Sequence, residues 1–231
     1  MGKLYNDILF PSNNYKHFIS DLKSFYNEFE KYEIASISNH VLDIDKLGDF
    51  RISRFMRDPR DMVVSGYFYH LRGAEKWCHI VDPVNRDWEI INGNVPKAIK
   101  PGQSFYTFLN SVDCEEGMIA EIEFRKNHFS SMLDWPLSEP RIKLFLYEDI
   151  LGNERDVFEE IFLFYGLPWY KHKLAGLIAE MYSVNKVFKP DKHIRNPEPG
   201  QWREYFSPKV EYAFNEKYVN LLNYYGYNQI R

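Results

Sequence analysis

The stretch Arg57-Asp58-Pro59-Arg60-Asp61-Met62-Val63-Val64-Ser65-Gly66-Tyr67 decides the fold. It follows a short apolar run, Phe50 to Met56, that carries Ile52 and Phe55 and reads as a strand. Asp58 suits a helix N-cap and Pro59 the first helical position, so the spacing predicts a helix from there to about His70. The stretch is therefore a strand feeding directly into a helix. In a parallel α/β fold, ligands sit at such strand ends.

Working outward, the same alternation recurs. Phe18, Leu22, Phe25, Tyr26 and Phe29 are spaced by threes and fours, which predicts an amphipathic helix, and Glu33 to Ser38 reads as a short strand before His40. Downstream, Val81 to Gly117 is rich in turn signals (Asp82-Pro83, Asn92-Gly93, Pro101-Gly102) and is expected to be loops of the kind that form a substrate lid. A helix from about Gly117 through Trp135, interrupted near Asn127, is followed by a strand from Ile142 to Tyr147. Further helices run through Val157 to Phe164, ending at Gly166-Leu167-Pro168, then Lys171 to Met181 and Val210 to Tyr225. Strands alternating with longer helices predict an α/β fold with a mainly parallel sheet. No internal repeat or low-complexity linker interrupts the chain, so residues 1–231 are expected to form one domain.

Composition narrows the function. Lys plus Arg total 29 against 33 Asp plus Glu, a net charge of −4, which argues against a general nucleic-acid binder and requires any anionic ligand to be held by a local basic cluster. Two cysteines, Cys78 and Cys114, are too few for a disulfide framework, and no Asn-x-Ser/Thr sequon occurs. No apolar run is long enough to cross a bilayer, and Gly2 to Phe10 is a mixed segment, so a soluble cytoplasmic protein is expected, with no membrane partner. Apart from His40, the histidines at 17, 70, 79, 128, 172 and 193 show no metal-ligand spacing with Cys or carboxylates, and no metal is expected.

At the strand end, Arg57 and Ser65 could offer a guanidinium fork and a hydroxyl to one phosphate beside the helix amides. Spacing alone leaves open an arginine paired with Asp58 or Asp61 and an ordinary helix serine. The whole stretch resembles the 3′-phosphate-binding segment of the sulfotransferases that use 3′-phosphoadenosine-5′-phosphosulfate (PAPS). That resemblance implies that Arg57 and Ser65 hold the 3′-phosphate.

Two further segments agree in order. Leu144-Phe145-Leu146-Tyr147-Glu148-Asp149 resembles the family's strand-ending Tyr-Glu-Asp motif, which implies that Tyr147 lies near the adenine; read alone, it is a buried strand-end tyrosine. His193-Ile194-Arg195-Asn196-Pro197-Glu198-Pro199-Gly200-Gln201-Trp202 resembles the late Arg-Lys-Gly…Gly-x-Trp loop that closes over the cofactor; read alone, it is a connector. Arg195 is then a second clamp on the 3′-phosphate. Asn196 and Pro197 occupy cofactor-contacting positions where many members have Lys and Gly. His40, after its strand, stands where the family has a histidine general base, a task suited to imidazole near neutral pH; alone, such a histidine is usually structural.

The resemblance spans roughly Lys16 to Tyr227 and implies the three-layer, mainly parallel, P-loop NTPase-like sulfotransferase fold. Its implied activity is sulfuryl transfer from PAPS to a hydroxyl acceptor, leaving adenosine 3′,5′-bisphosphate. It also implies a first strand followed by a Lys/Arg-Ser-Gly-Thr loop that holds the 5′-phosphosulfate, and no segment before His40 supplies this in full. The nearest, Phe10-Pro11-Ser12-Asn13-Asn14-Tyr15-Lys16, has no glycine. The expectation is a sulfotransferase whose first strand and P-loop are missing. An N-terminally shortened or non-catalytic nucleotide-binding module of the same fold is the alternative.

Overall fold

The computed structural model describes residues 15–38, 40–183, 186 and 196–228. In chain order the elements are β1 (Tyr15–His17), α1 (Leu22–Glu28), β2 (Ile34–Ser36), β3 (Ile52–Met56), α2 (Pro59–Leu71), α3 (Phe105–Leu109), α4 (Cys114–Phe124), α5 (Lys126–Leu133), β4 (Ile142–Leu146), α6 (Tyr147–Ile150), α7 (Glu154–Phe164), α8 (Trp169–Met181), α9 (Trp202–Tyr205) and α10 (Pro208–Tyr225). They fall into two compact units. One comprises Met1–Ser38, Leu42–Arg57 and Pro136–Lys189, the other Asn39–Val41, Asp58–Trp135 and Pro190–Arg231.

The first unit holds the described strands, and every pairing among them is parallel. They form two two-stranded sheets, β1 with β2 and β3 with β4. A strand stands ahead of α1, where only an incomplete loop was expected. Tyr15 lies opposite Ile34 and His17 opposite Ser36, and Ile19 carries a φ of 51° in the turn that follows. The earlier part of the Phe10–Lys16 segment lies outside the described residues. Asp21 caps α1 by accepting from the Ser24 amide at 2.9 Å, so the helix starts at Leu22 and leaves Phe18 to pack edge-on against Phe25, ring centroids 5.3 Å apart. Beside β4, Phe145 packs with Ile161 and Phe162 of α7 and Ala175 and Ile178 of α8. Gly166, at a φ of 76°, ends α7 where a side chain would be strained.

The second unit is built around α2. Asp58 accepts from the Arg60 amide at 2.9 Å and Pro59 opens the helix, as their order predicts. Val63, Val64, Tyr67 and His70 are buried. The interruption expected near Asn127 falls at Arg125, where α4 and α5 meet, and α4 begins before Gly117 because Asp113 caps the Glu116 amide at 2.9 Å. The segment Val81 to Gly117 is not a loose lid. Trp88 and Phe105 are 0% exposed and join Trp77 and Phe124 in an aromatic cluster, with Trp77 stacked on Phe124 at 5.2 Å, so its turn signals separate short helical pieces tied to the core. On α10, Phe214 and Tyr218 pack against Phe129, and the Tyr225 hydroxyl donates to the Met132 carbonyl at 2.8 Å.

Within this core lies a charged group. Glu121 is 0% exposed, with His70 Nδ1 at 2.7 Å from one carboxylate oxygen and Arg125 Nε at 2.8 Å from the other. Removing one member of such a buried set strands the rest at a cost of about 3–5 kcal/mol. Gly66 makes room for it, since a Cβ there would lie far inside van der Waals distance of Glu121 Oε1 and Arg125 Nη2. His128 is also buried, and no hydrogen bond of good geometry reaches either ring nitrogen. Its pKa is pushed down to about 3, mainly by burial and then by the Arg125 charge, with the Ile91 backbone opposing weakly.

Two outcomes follow. Gly66→Ala should lower unfolding stability by about 1–3 kcal/mol in urea denaturation of the full chain, whereas Ser65→Ala, one exposed position earlier, should stay within about 0.5 kcal/mol. Between pH 6.5 and 3 the unfolded chain protonates His128 and the folded chain does not, so stability falls as pH falls. From pH 7 to 5 the wild type should lose about 2 kcal/mol that His128→Gln does not lose. Identical pH dependence in the two proteins would contradict this origin.

Candidate functional site

Register brings two of the expected residues together. Because β3 and β4 are parallel with Met56 opposite Leu146, the residues that follow, Arg57 and Tyr147, leave adjacent strand ends. The Arg57 guanidinium lies over the Tyr147 ring, 4.8 Å from its centroid, and both side chains are half-buried. A cation over a phenol face is worth about 0.5–2 kcal/mol, depending on desolvation, and it fixes where the guanidinium points. The pair is a preformed cation and flat ring at the carboxyl end of a parallel sheet, the place where α/β folds hold ligands.

In the second unit, Ser65 is exposed on α2 between buried Val64 and Gly66, so its hydroxyl is not consumed by the core. His40 is half-buried just after the first unit's Ser38, and together with His70 it adds a small repulsion to the charged form of His128. It therefore lies within electrostatic reach of that cluster. Arg195 lies outside the described residues. Asn196 is exposed and Pro197 buried. The Asn196 side-chain oxygen accepts from the Glu198 amide at 2.9 Å, and Gln201 Nε2 donates to the carbonyls of Asn196 (3.1 Å) and Glu198 (2.8 Å). These bonds brace the loop from inside.

The two aspartates that spacing offered as partners for Arg57 have tasks in their own unit. Asp58 caps the Arg60 amide and pairs with its guanidinium at 2.6 Å. Asp61 accepts from the backbone amides of Gly200 (2.6 Å) and Trp202 (2.9 Å). Arg60 lies 3.7 Å from the centroid of the Trp202 ring and donates to the Tyr227 carbonyl at 3.2 Å. Arg60 enters the sequence reading only as part of a motif, and Asp61 only as a candidate partner of Arg57. Their partners lie more than a hundred residues away, and the signal available was the acid at the third helical position, where a carboxylate can turn outward to stray amides.

A cleft of about 290 Å³ opens elsewhere in the first unit, lined by Gly152, Asn153, Arg155, Glu180, Ser183 and Lys186 among others. Its charges answer one another, with Lys186 Nζ 2.8 Å and Arg155 Nη1 3.4 Å from the Glu180 carboxylate, and none of the residues read from the sequence as site residues lines it. Among the described residues no group of three or more His, Cys, Asp or Glu side chains is gathered as a metal ion would need. No described helix is long and apolar enough to cross a membrane.

Comparison with known proteins gives the family and the fold. A search of curated proteins finds no sequence match. Among solved structures, mouse sulfotransferase SULT7A1 complexed with PAP is similar at a TM-score of 0.55 and 16% identity, over 96% of this chain and 79% of that one, which speaks for the fold. Retinol dehydratase in complex with androsterone and inactive cofactor PAP aligns at a TM-score of 0.47 and 17% identity, over 96% of this chain and 65% of that one. The family model for the sulfotransferase domain matches residues 46–226, a range that includes Arg57, Ser65, Tyr147 and the late loop and begins after His40. With most of its length matched by that model, the chain belongs to the sulfotransferase domain family.

Proposed function

We propose that this protein transfers a sulfuryl group from PAPS to a hydroxyl-bearing acceptor. The observation that carries the reading is the Arg57 guanidinium held over the Tyr147 ring at two adjacent strand ends, inside the stretch matched by the sulfotransferase model. A cation beside a flat, half-buried phenol suits an adenine nucleotide with a phosphate nearby, so the residues present fit the donor. PAPS supplies a sulfuryl group activated by its phosphate leaving group.

The roles are those that the family resemblance implies, and the chemistry of each side chain is compatible with them. Arg57, Ser65 and Arg195 hold the 3′-phosphate, and Tyr147 lies by the adenine. Asn196 and Pro197 shape the loop over the nucleotide, a role supported by the internal bonds that Asn196 makes. The His40 imidazole accepts the acceptor hydroxyl's proton as the new S–O bond forms and the old one breaks. The two free cysteines support a reducing, cytoplasmic setting. No nucleic acid and no metal enter this scheme.

A second reading, nucleotide binding without turnover, is favoured by one feature. The connection into α1, Phe18-Ile19-Ser20-Asp21, contains neither glycine nor a cationic side chain, whereas sulfuryl transfer depends on donors around the leaving oxygens.

Calorimetry and turnover separate these readings. Wild-type protein should bind adenosine 3′,5′-bisphosphate, and Arg57→Ala should weaken binding by about tenfold or more, the worth of a charge-assisted phosphate contact. His40→Ala should leave binding intact while lowering transfer of radiolabelled sulfate to a panel of alcohols by at least about a hundredfold. Unchanged binding in Arg57→Ala would overturn the nucleotide site. Binding without any transfer by the wild type would favour the second reading.

A further inference from the structure

We propose that Asp61 is a positioning residue that clasps the Asn196–Trp202 loop to the first turn of α2, so that the loop meets the nucleotide already folded. The inference rests on the preceding reading, in which that loop closes over the 3′-phosphate.

Asp61 is 1% exposed, and a carboxylate so thoroughly removed from water is costly unless its oxygens are satisfied. Both are, by backbone amides of one distant loop: Oδ2 accepts from Gly200 at 2.6 Å and Oδ1 from Trp202 at 2.9 Å. Hydrogen bonds to an ionised acceptor are about twice as strong as neutral ones, and here two of them fix a backbone, so they set the path of the chain. Arg60 grips the same place from the next position. Its guanidinium stacks on the Trp202 ring while Asp58 and the Tyr227 carbonyl hold its nitrogens. Gln201, itself buried, ties the carbonyls of Asn196 and Glu198 across the inside of the loop.

The loop is therefore held at Gly200 and Trp202 from outside and at Gln201 from within. A seven-residue segment that had to order on binding would subtract that entropy from nucleotide affinity, whereas one clasped beforehand does not. In this scheme Asp61 does not touch the nucleotide but acts through the Asn196–Trp202 loop, and Arg195, the next residue upstream in the sequence, is the phosphate contact proposed above.

The test uses the full chain. Asp61→Asn keeps the shape but loses the charge and turns one acceptor into a donor facing an amide. It should weaken binding of adenosine 3′,5′-bisphosphate by about tenfold in the wild-type background and by less than about twofold when Arg195→Ala is already present. A general loss of stability would lower affinity alike in both backgrounds, and that result would overturn the proposal, as would unchanged affinity in a folded Asp61→Asn protein. Hydrogen exchange on the nucleotide-free wild type needs no variant. The Gly200 and Trp202 amides should be strongly protected, and exchange at the rate of an open loop would overturn the clasp. Absence of nucleotide binding by the wild type would sink the nucleotide reading and the positioning role together, while normal binding with no cost from Asp61→Asn would sink the positioning role alone.

Discussion

The parallel pairing of β3 with β4, in the register that sets Met56 opposite Leu146, is the constraint on which the site depends. Backbone hydrogen bonds fix that register, and a slip of one residue would turn every side chain of the strand to the other face. Because the register holds, Arg57 and Tyr147 emerge side by side and the guanidinium settles on the phenol. Neither residue needs the other for its own strand to form. Their meeting follows from two strand ends being level, which is why an α/β fold concentrates chemistry at that edge.

The second unit answers with one helix put to several uses along its length. The first turn of α2 spends Asp58 on its own cap, Arg60 on Trp202 and Asp61 on the amides of the late loop. Midway, Ser65 faces outward while Gly66 gives space to the Glu121 carboxylate. Near its end, His70 donates to that same carboxylate, with Arg125 on the other side. The buried charge set and the exposed hydroxyl thus share a few turns of helix. A change that disturbs the interior at Gly66 is expected to reach the face that carries Ser65.

What could be read from the sequence was local. Asp58 and Pro59 start α2, and Gly166 ends α7, because a cap, a fixed φ and a left-handed turn each act within a few residues. The strand from Ile142 carries a compact apolar run and is correspondingly plain. β1 was not legible, since three residues, Tyr15 to His17, show no alternation that could be told from a loop, and their strand character comes from pairing with Ile34 to Ser36. The turn-rich segment after Val81 misled for the opposite reason. Its glycines and prolines are real breaks, but Trp88 and Phe105 between them find partners in Trp77 and Phe124 that no local pattern names. At the site, Arg57, Ser65 and Tyr147 stood out through motif resemblance, whereas the engagement of Asp61 with Gly200 and Trp202 spans 139 and 141 residues and required the fold.

The central claim is that the chain recognises an adenine nucleotide through its 3′-phosphate. The most direct measurement is a calorimetric comparison of adenosine 3′,5′-bisphosphate with adenosine 5′-monophosphate on the wild-type chain. Recognition by two guanidinium groups and a hydroxyl should make the bisphosphate bind at least about a hundredfold more tightly. Equal affinities for the two nucleotides would contradict the account.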